Sequence, residues 1–233
     1  MSVARKELEP RRDRALRKIR PSGGPEDFER WQQRKSSLTR EAILDAAVAS
    51  LVESGYAGLS TNDVARRAGV SRGAMHHHFP NRMSLVRSMI EHVFYRRMRH
   101  FLDDFVARLK VLDTGDKTVQ PHVLAVELHW HSVQSREFEA YLRLAVAARN
   151  DAELAEAFDP AARRYDEVWL EEMDHAFPQW RNAPELMRLA SDFTQALQLG
   201  LLINGSTLGE ERVRLIQDEL VGVVMRLAEA ANP

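Results

Sequence analysis

Ser71, Arg72, His76, His77 and Arg82 bring a hydroxyl, guanidinium groups and imidazoles into one short stretch of chain, and each can donate a hydrogen bond to an anionic oxygen. Ser71 also stands where a helix N-cap would stand, just before Arg72, Gly73 and Ala74. A helix opening on such small or basic residues carries nothing bulky on its leading edge and fits a duplex major groove about 12 Å wide. The expected roles then divide by position. Thr61 at a helix start, Ser71 as cap, and His76, His77 and Arg82 would hold phosphates, fixing register without reading sequence. Arg72 would donate to guanine, the Ala74 methyl would pack on thymine, and Gly73 would permit close approach.

Those residues need two short helices at a fixed angle, and the stretch from Ser60 to Leu85 supplies them. Ser60 is expected to cap the first, with Asp63 answering in a capping-box position and Val64 and Ala65 pointing inward. Gly69, within Ala68-Gly69-Val70, tolerates positive φ and lets the chain turn, and Val70 supplies an apolar plug. Upstream, Thr39 is expected to cap a helix reaching Glu53, with Ile43, Ala46, Ala47 and Leu51 on one face and Gly55 ending it. Downstream, Phe79-Pro80-Asn81 reads as a turn, followed by a long helix from Arg82 past Phe105 with an apolar line of Leu85, Met89 and Val93.

With Thr61, Val64, Ala65, Ala68-Gly69-Val70-Ser71, Gly73, His77-His78-Phe79 and Leu85 in this order after a helix opening at Thr39, the chain resembles the TetR (tetracycline-repressor) family of bacterial transcription regulators from about Thr39 to Phe94. His76 stands where the family commonly has Tyr, and Arg82 where it has Lys. Both can still donate to a phosphate, but contact geometry does not carry over. The resemblance implies a three-helix DNA-binding domain, a homodimer and an effector-binding domain.

Composition agrees. A chain of 233 residues at 44% hydrophobic can bury a sizeable core and fits one small and one larger helical domain. The absence of cysteine excludes disulfide and thiolate chemistry and is compatible with a cytoplasmic location. No signal-peptide core opens the chain, and no apolar run reaches the roughly 18 residues of a membrane span. The net charge of −1 conceals an asymmetry. Residues 1–35 carry 11 Lys and Arg against 6 Asp and Glu, residues 36–100 carry 9 against 5, and residues 101–233 carry 13 against 23. A basic front half suits phosphate and an acidic back half stays off it, although ordinary charge segregation on a surface would look the same. The expected organisation is a flexible basic arm over 1–35, a helix-turn-helix domain over 36–81, a connecting helix over 82–112, and an effector-binding and dimerisation domain over 113–233. The arm, interrupted by Pro10, Pro21 and Ser22-Gly23-Gly24-Pro25, either adds nonspecific DNA contact or serves as a solubilising tail.

The rest of the chain reads as all-α, with helices over about Pro121–Gln134, Ser135–Arg149, Ala152–Phe158, Pro160–Ala176, Pro184–Ile203 and Glu210–Ala230. The breaks are expected at Asp113–Asp116, Asp159-Pro160, Phe177-Pro178, Ala183-Pro184 and Asn204-Gly205. The last two helices form a hairpin whose apolar residues, Leu197, Leu201, Ile216, Leu220, Val223, Val224 and Leu227, either close a four-helix bundle across a twofold axis or pack within one subunit. Dimerisation is favoured because two reading helices must be spaced by about one helical turn of DNA. In the middle domain, Glu127 and His131 project onto the arc of Val123, Val126 and Trp130, and Arg149 onto that of Phe138 and Leu142. Together with Trp130, Tyr141, Tyr165, Trp169 and Met173 they could line an effector pocket, or Glu127 could pair with Arg149 as a structural bridge. Three consecutive histidines cannot converge on one tetrahedral ion, so no metal and no cofactor is expected. No G-x-S-x-G, P-loop or dinucleotide fingerprint suggests an enzyme. The reading is a homodimeric regulator, a repressor bound to double-stranded operator DNA and released by a small molecule.

Overall fold

The computed structural model describes residues 10, 12–20, 31–112, 121–176 and 180–231, and among these every regular element is helical. The helices are α1 (residues 12–18), α2 (Trp31–Gly58), α3 (Thr61–Arg67), α4 (Arg72–His78), α5 (Arg82–Leu112), α6 (Pro121–Val133), α7 (Arg136–Ala148), α8 (Ala152–Ala176), α9 (Pro184–Leu208) and α10 (Glu210–Ala230). They gather into two compact units that do not follow chain order: the described residues within 16–97 cluster with those of 136–166, and the described residues within 1–15 and 98–135 with those of 167–233. Helices α5 and α8 each run from one unit into the other. Most of the basic arm and the breaks at Asp113–Asp116 and Phe177-Pro178 lie outside the described residues.

Several boundaries differ from expectation for identifiable reasons. Thr39 lies inside α2, because Gln32, Gln33, Arg34 and Lys35 before it are good helix formers and nothing interrupts them. Gly55 does break that helix, at φ 71° and ψ 174°. Ser60 makes no side-chain cap, and Asp63 pairs instead with Arg66 one turn on, at 3.0 Å. Asp159-Pro160 does not divide α8: Pro160 is exposed and sacrifices a backbone bond worth about 3 kcal/mol in a helix interior, while Leu154, Phe158, Val168 and Met173 on the same helix are buried. Asn204-Gly205 stays helical, with the Asn204 amide donating to the Gly200 carbonyl, and the chain turns at Gly209, φ 78°. Within the basic arm, residues 12–18 form a helix with Ala15 and Leu16 buried.

The core of the first unit joins Ile43, Leu51, Val64, Met75, Phe79, Leu85 and Met89 to Ala140, Leu144 and Leu154, so α7 and α8 complete the core of the helix-turn-helix region. At its edge, His78 is half-buried beside Phe79, and burial, then the charges of His77 and Arg40, push its imidazole below the ordinary histidine range. The unfolded chain therefore takes up a proton near the ordinary value of about 6.5 that the folded chain refuses. Stability from this group is full above that value and is lost as pH falls below it. We expect a lower melting temperature at pH 5.5 than at pH 7.5, with the difference reduced in His78→Gln; an unchanged difference would remove His78 from the effect.

In the second unit, α9 and α10 pack on each other and on α6 around Gln198, which is fully buried. Its amide nitrogen donates to the Val126 carbonyl (3.1 Å) and to Gln217 Oε1 (3.0 Å), so its oxygen meets His129 Nδ1 at 2.6 Å. Gln198 is thereby oriented, and His129 must carry a proton on Nδ1. Leu201, Leu220 and Val224 are buried here, inside one subunit, which corrects their expected place at a dimer interface; Leu197, Ile216, Val223 and Leu227 remain partly exposed.

Candidate nucleic-acid interface and effector cavity

Two local devices set α4. Gly69, at φ 67°, turns the chain while the Val70 amide donates back to the Ala65 carbonyl at 3.0 Å. Ser71 then caps α4, its hydroxyl accepting from the Ala74 amide at 3.1 Å. Met75 and Phe79 anchor the helix in the core, and this leaves Ser71, Arg72, Gly73, His76 and His77 exposed; Ala74 and Thr61 are half-buried. An added Cβ at Gly73 would meet only Ser71 Oγ, at 3.8 Å, so the fold itself does not require glycine there.

Arg82, expected at a phosphate, is turned inward. Its guanidinium donates to the Tyr56 carbonyl (2.7 Å), the Leu59 carbonyl (3.3 Å) and the Tyr56 hydroxyl (3.1 Å), and lies 4.3 Å from the Tyr56 ring centre. Carbonyls around the end of α2 need donors, and a fork-shaped cation supplies several at once. Arg82→Ala is expected to lower stability by about 2 kcal/mol, with Arg82→Lys recovering only part of it. A denaturant titration checks this, and an unchanged midpoint for Arg82→Ala would contradict the assignment.

Arg40, which motif reading passed over, donates to Ser88 Oγ at 2.8 Å and lies over the Phe79 ring, and burial lowers its pKa. Arg67 pairs with Glu53. Asp45 receives His92 Nε2 at 2.8 Å, and that hydrogen bond holds its carboxyl below the usual range.

The second unit holds a cavity of about 70 Å³, room for roughly five waters or a small ring. Ala125 and His129 on α6, Trp169 and Met173 on α8, Trp180 and Thr194 are among its walls. Trp169 and Met173 are thus placed as expected, the Trp169 indole donating to Ser191 Oγ at 2.9 Å. The other expected effector residues are elsewhere. Glu127, His131 and Arg149 are exposed and Trp130 is half-buried outside the lining, while Tyr141 and Tyr165 pack with Phe94 in the first unit. The error lies in the phase of α6. Leu124, Val126, Leu128 and Val133 are all buried, so the helix is apolar around most of its circumference and its apolar residues select no face; packing turns His129 inward.

A sequence profile of bacterial regulatory proteins of the tetR family matches residues 43–89. The HTH-type transcriptional regulator CymR of Pseudomonas putida is 32% identical over 146 residues, 60% of this chain and 68% of that protein. The chain belongs to the TetR family. This TetR regulator also shares 44% identity over 55 residues with the HTH-type transcriptional repressor LfrR of Mycolicibacterium smegmatis, 24% of this chain and 28% of that one. Its fold matches a transcriptional regulator from Pseudomonas aeruginosa PAO1 with a TM-score of 0.58 at 19% identity, over 88% of this chain and 95% of that one. It is a DNA-binding transcriptional regulator, and among its described residues no helix is long and apolar enough to cross a membrane.

Proposed function

We propose that this regulator is a homodimeric repressor that grips a near-palindromic operator in double-stranded DNA with α4 of each subunit and lets go when a small molecule fills the cavity beside Trp169 and His129. The observation that carries the reading is the bare leading edge of α4, with Arg72 and Gly73 exposed between the Ser71 cap and the buried Met75. Arg72 and Ala74 take base edges, Gly73 allows close approach, and Thr61, Ser71, His76 and His77 hold phosphates. Arg82 contributes by fixing α5 against the end of α2.

The pairing surface is the outward side of α9. Leu189, Phe193, Ala196, Gly200 and Ile203 recur at steps of four and three, the spacing of a helix–helix seam, and Leu189, Phe193 and Ile203 are exposed. Leu215 and Met225 extend exposed apolar surface onto α10. Four such helices, two from each subunit, make a bundle.

A ligand in the cavity touches Trp169 and Met173 on α8, whose earlier residues through Asp166 belong to the unit that carries α3 and α4. Release follows only if the ligand binds better to a conformation in which the reading helices no longer match the operator. The test is a metabolite screen on the operator complex, following Trp fluorescence and DNA anisotropy together. A compound that quenches tryptophan and frees DNA at the same concentration is expected; compounds that quench without freeing DNA would sink the effector reading.

A further inference from the structure

The walls of the cavity beside Trp169 are held in place before any ligand arrives. Buried Phe101 of α5 meets the Trp169 ring edge-on, with ring centres 4.4 Å apart, and the indole N–H is tied to Ser191 Oγ at 2.9 Å. The His129 ring stands 6.1 Å from Trp169 at an angle of 61°, and Gln198 fixes it in turn. Two aromatic rings set by such contacts make a rigid slot, so a flat ring can enter with little ordering cost. Met173 and Met187 complete the slot with unbranched thioethers, which adapt to a ring and make favourable sulfur–aromatic contacts.

The hydroxyls of the wall have assigned directions. Thr194 Oγ1 donates to the Ala190 carbonyl at 2.7 Å, so that proton is spent inside α9. Ser191 Oγ accepts from Trp169, and its own proton has no acceptor among the described residues. Ser191 therefore offers a donor to an oxygen lone pair brought in by a ligand. Among the described residues of the wall there is no Asp, Glu, Lys or Arg. An ion entering there would shed water without meeting a permanent opposite charge.

We propose that the cavity selects an uncharged, single-ring aromatic compound carrying an oxygen acceptor, such as an aryl ketone or ether, with its ring beside Trp169 and its oxygen taking the Ser191 proton. This rests on the reading of the cavity as the effector site, and names the class of effector. Binding is read on the full chain without DNA, by calorimetric titration and tryptophan fluorescence. The probes are acetophenone and anisole, with ethylbenzene as the isostere lacking the oxygen and with benzoate and benzylamine as charged counterparts. Operator release by the same compounds is measured separately. A neutral ring that binds but frees no DNA would sink the effector reading and leave the ligand class standing, whereas a charged ring that binds as tightly would do the opposite.

Acetophenone or anisole is expected to bind saturably, with ethylbenzene about three- to tenfold weaker than acetophenone for want of one hydrogen bond. Benzoate and benzylamine should each be at least about tenfold weaker. Ala125→Leu, which adds bulk at the cavity wall, should abolish binding. Should that variant fail to fold, Ser191→Ala decides, since it should close most of the gap between acetophenone and ethylbenzene. No saturable binding by acetophenone or anisole, a charged ring that matches them, undiminished binding in a folded Ala125→Leu protein, or an unchanged gap in Ser191→Ala would overturn the proposal.

Discussion

Replacing Phe193 and Ile203 together by glutamate is expected to leave a folded, helical protein that sediments as a monomer and has lost its grip on DNA. Both side chains are exposed on α9, Ile203 at 59% and Phe193 at 43%, so neither is needed to fill the core of its own subunit. In the proposed dimer they would meet their counterparts across a twofold seam, where paired carboxylates repel and cannot be desolvated. A monomer presents one reading helix, and the second contact no longer benefits from the first, which costs about a hundredfold in affinity or more. Circular dichroism and sedimentation separate this outcome from misfolding. A double variant that remains dimeric and binds operator normally would move the interface off this stripe.

Arg72→Ala should produce the second large effect, on selectivity more than on grip. Arg72 is exposed at the first position of α4, with its backbone fixed by the Ser71 cap, and it takes no part in the core. A bidentate contact to guanine contributes about 1–3 kcal/mol of discrimination per site, so the ratio of operator to random-duplex affinity should fall roughly tenfold to a hundredfold. His76→Ala, at a proposed phosphate contact, should lower both affinities together and make binding less sensitive to salt. Equal losses on operator and random duplex for Arg72→Ala would contradict its role in reading bases.

What was legible in the chain was what local chemistry decides. Gly69 and Gly55 adopt the positive φ that glycine permits at low cost, Ser71 makes its cap bond, and His76 and His77 face outward. Features decided by packing were not legible. Proline at 160 and Asn204-Gly205 both look like breaks, but an exposed position and a neighbouring carbonyl let the helices run on. The phase of α6 is not readable from a helix apolar on several sides, so Glu127 and His131, expected inward, are exposed, and His129 lines the cavity instead. Arg82 and Arg97 illustrate the same limit. Each is an arginine with donors to satisfy, and only the folded chain brings Tyr56 and Leu59 to one and a ring of aromatic faces to the other.

The most direct test of the paired reading helices is selection of bound sequences from a pool of random duplexes at moderate salt with the natural protein. Enrichment of two copies of one short motif, related by a dyad and centred about 10 base pairs apart or a multiple of that, is the expected result. A pool that stays random, or a single motif without symmetry, would contradict it.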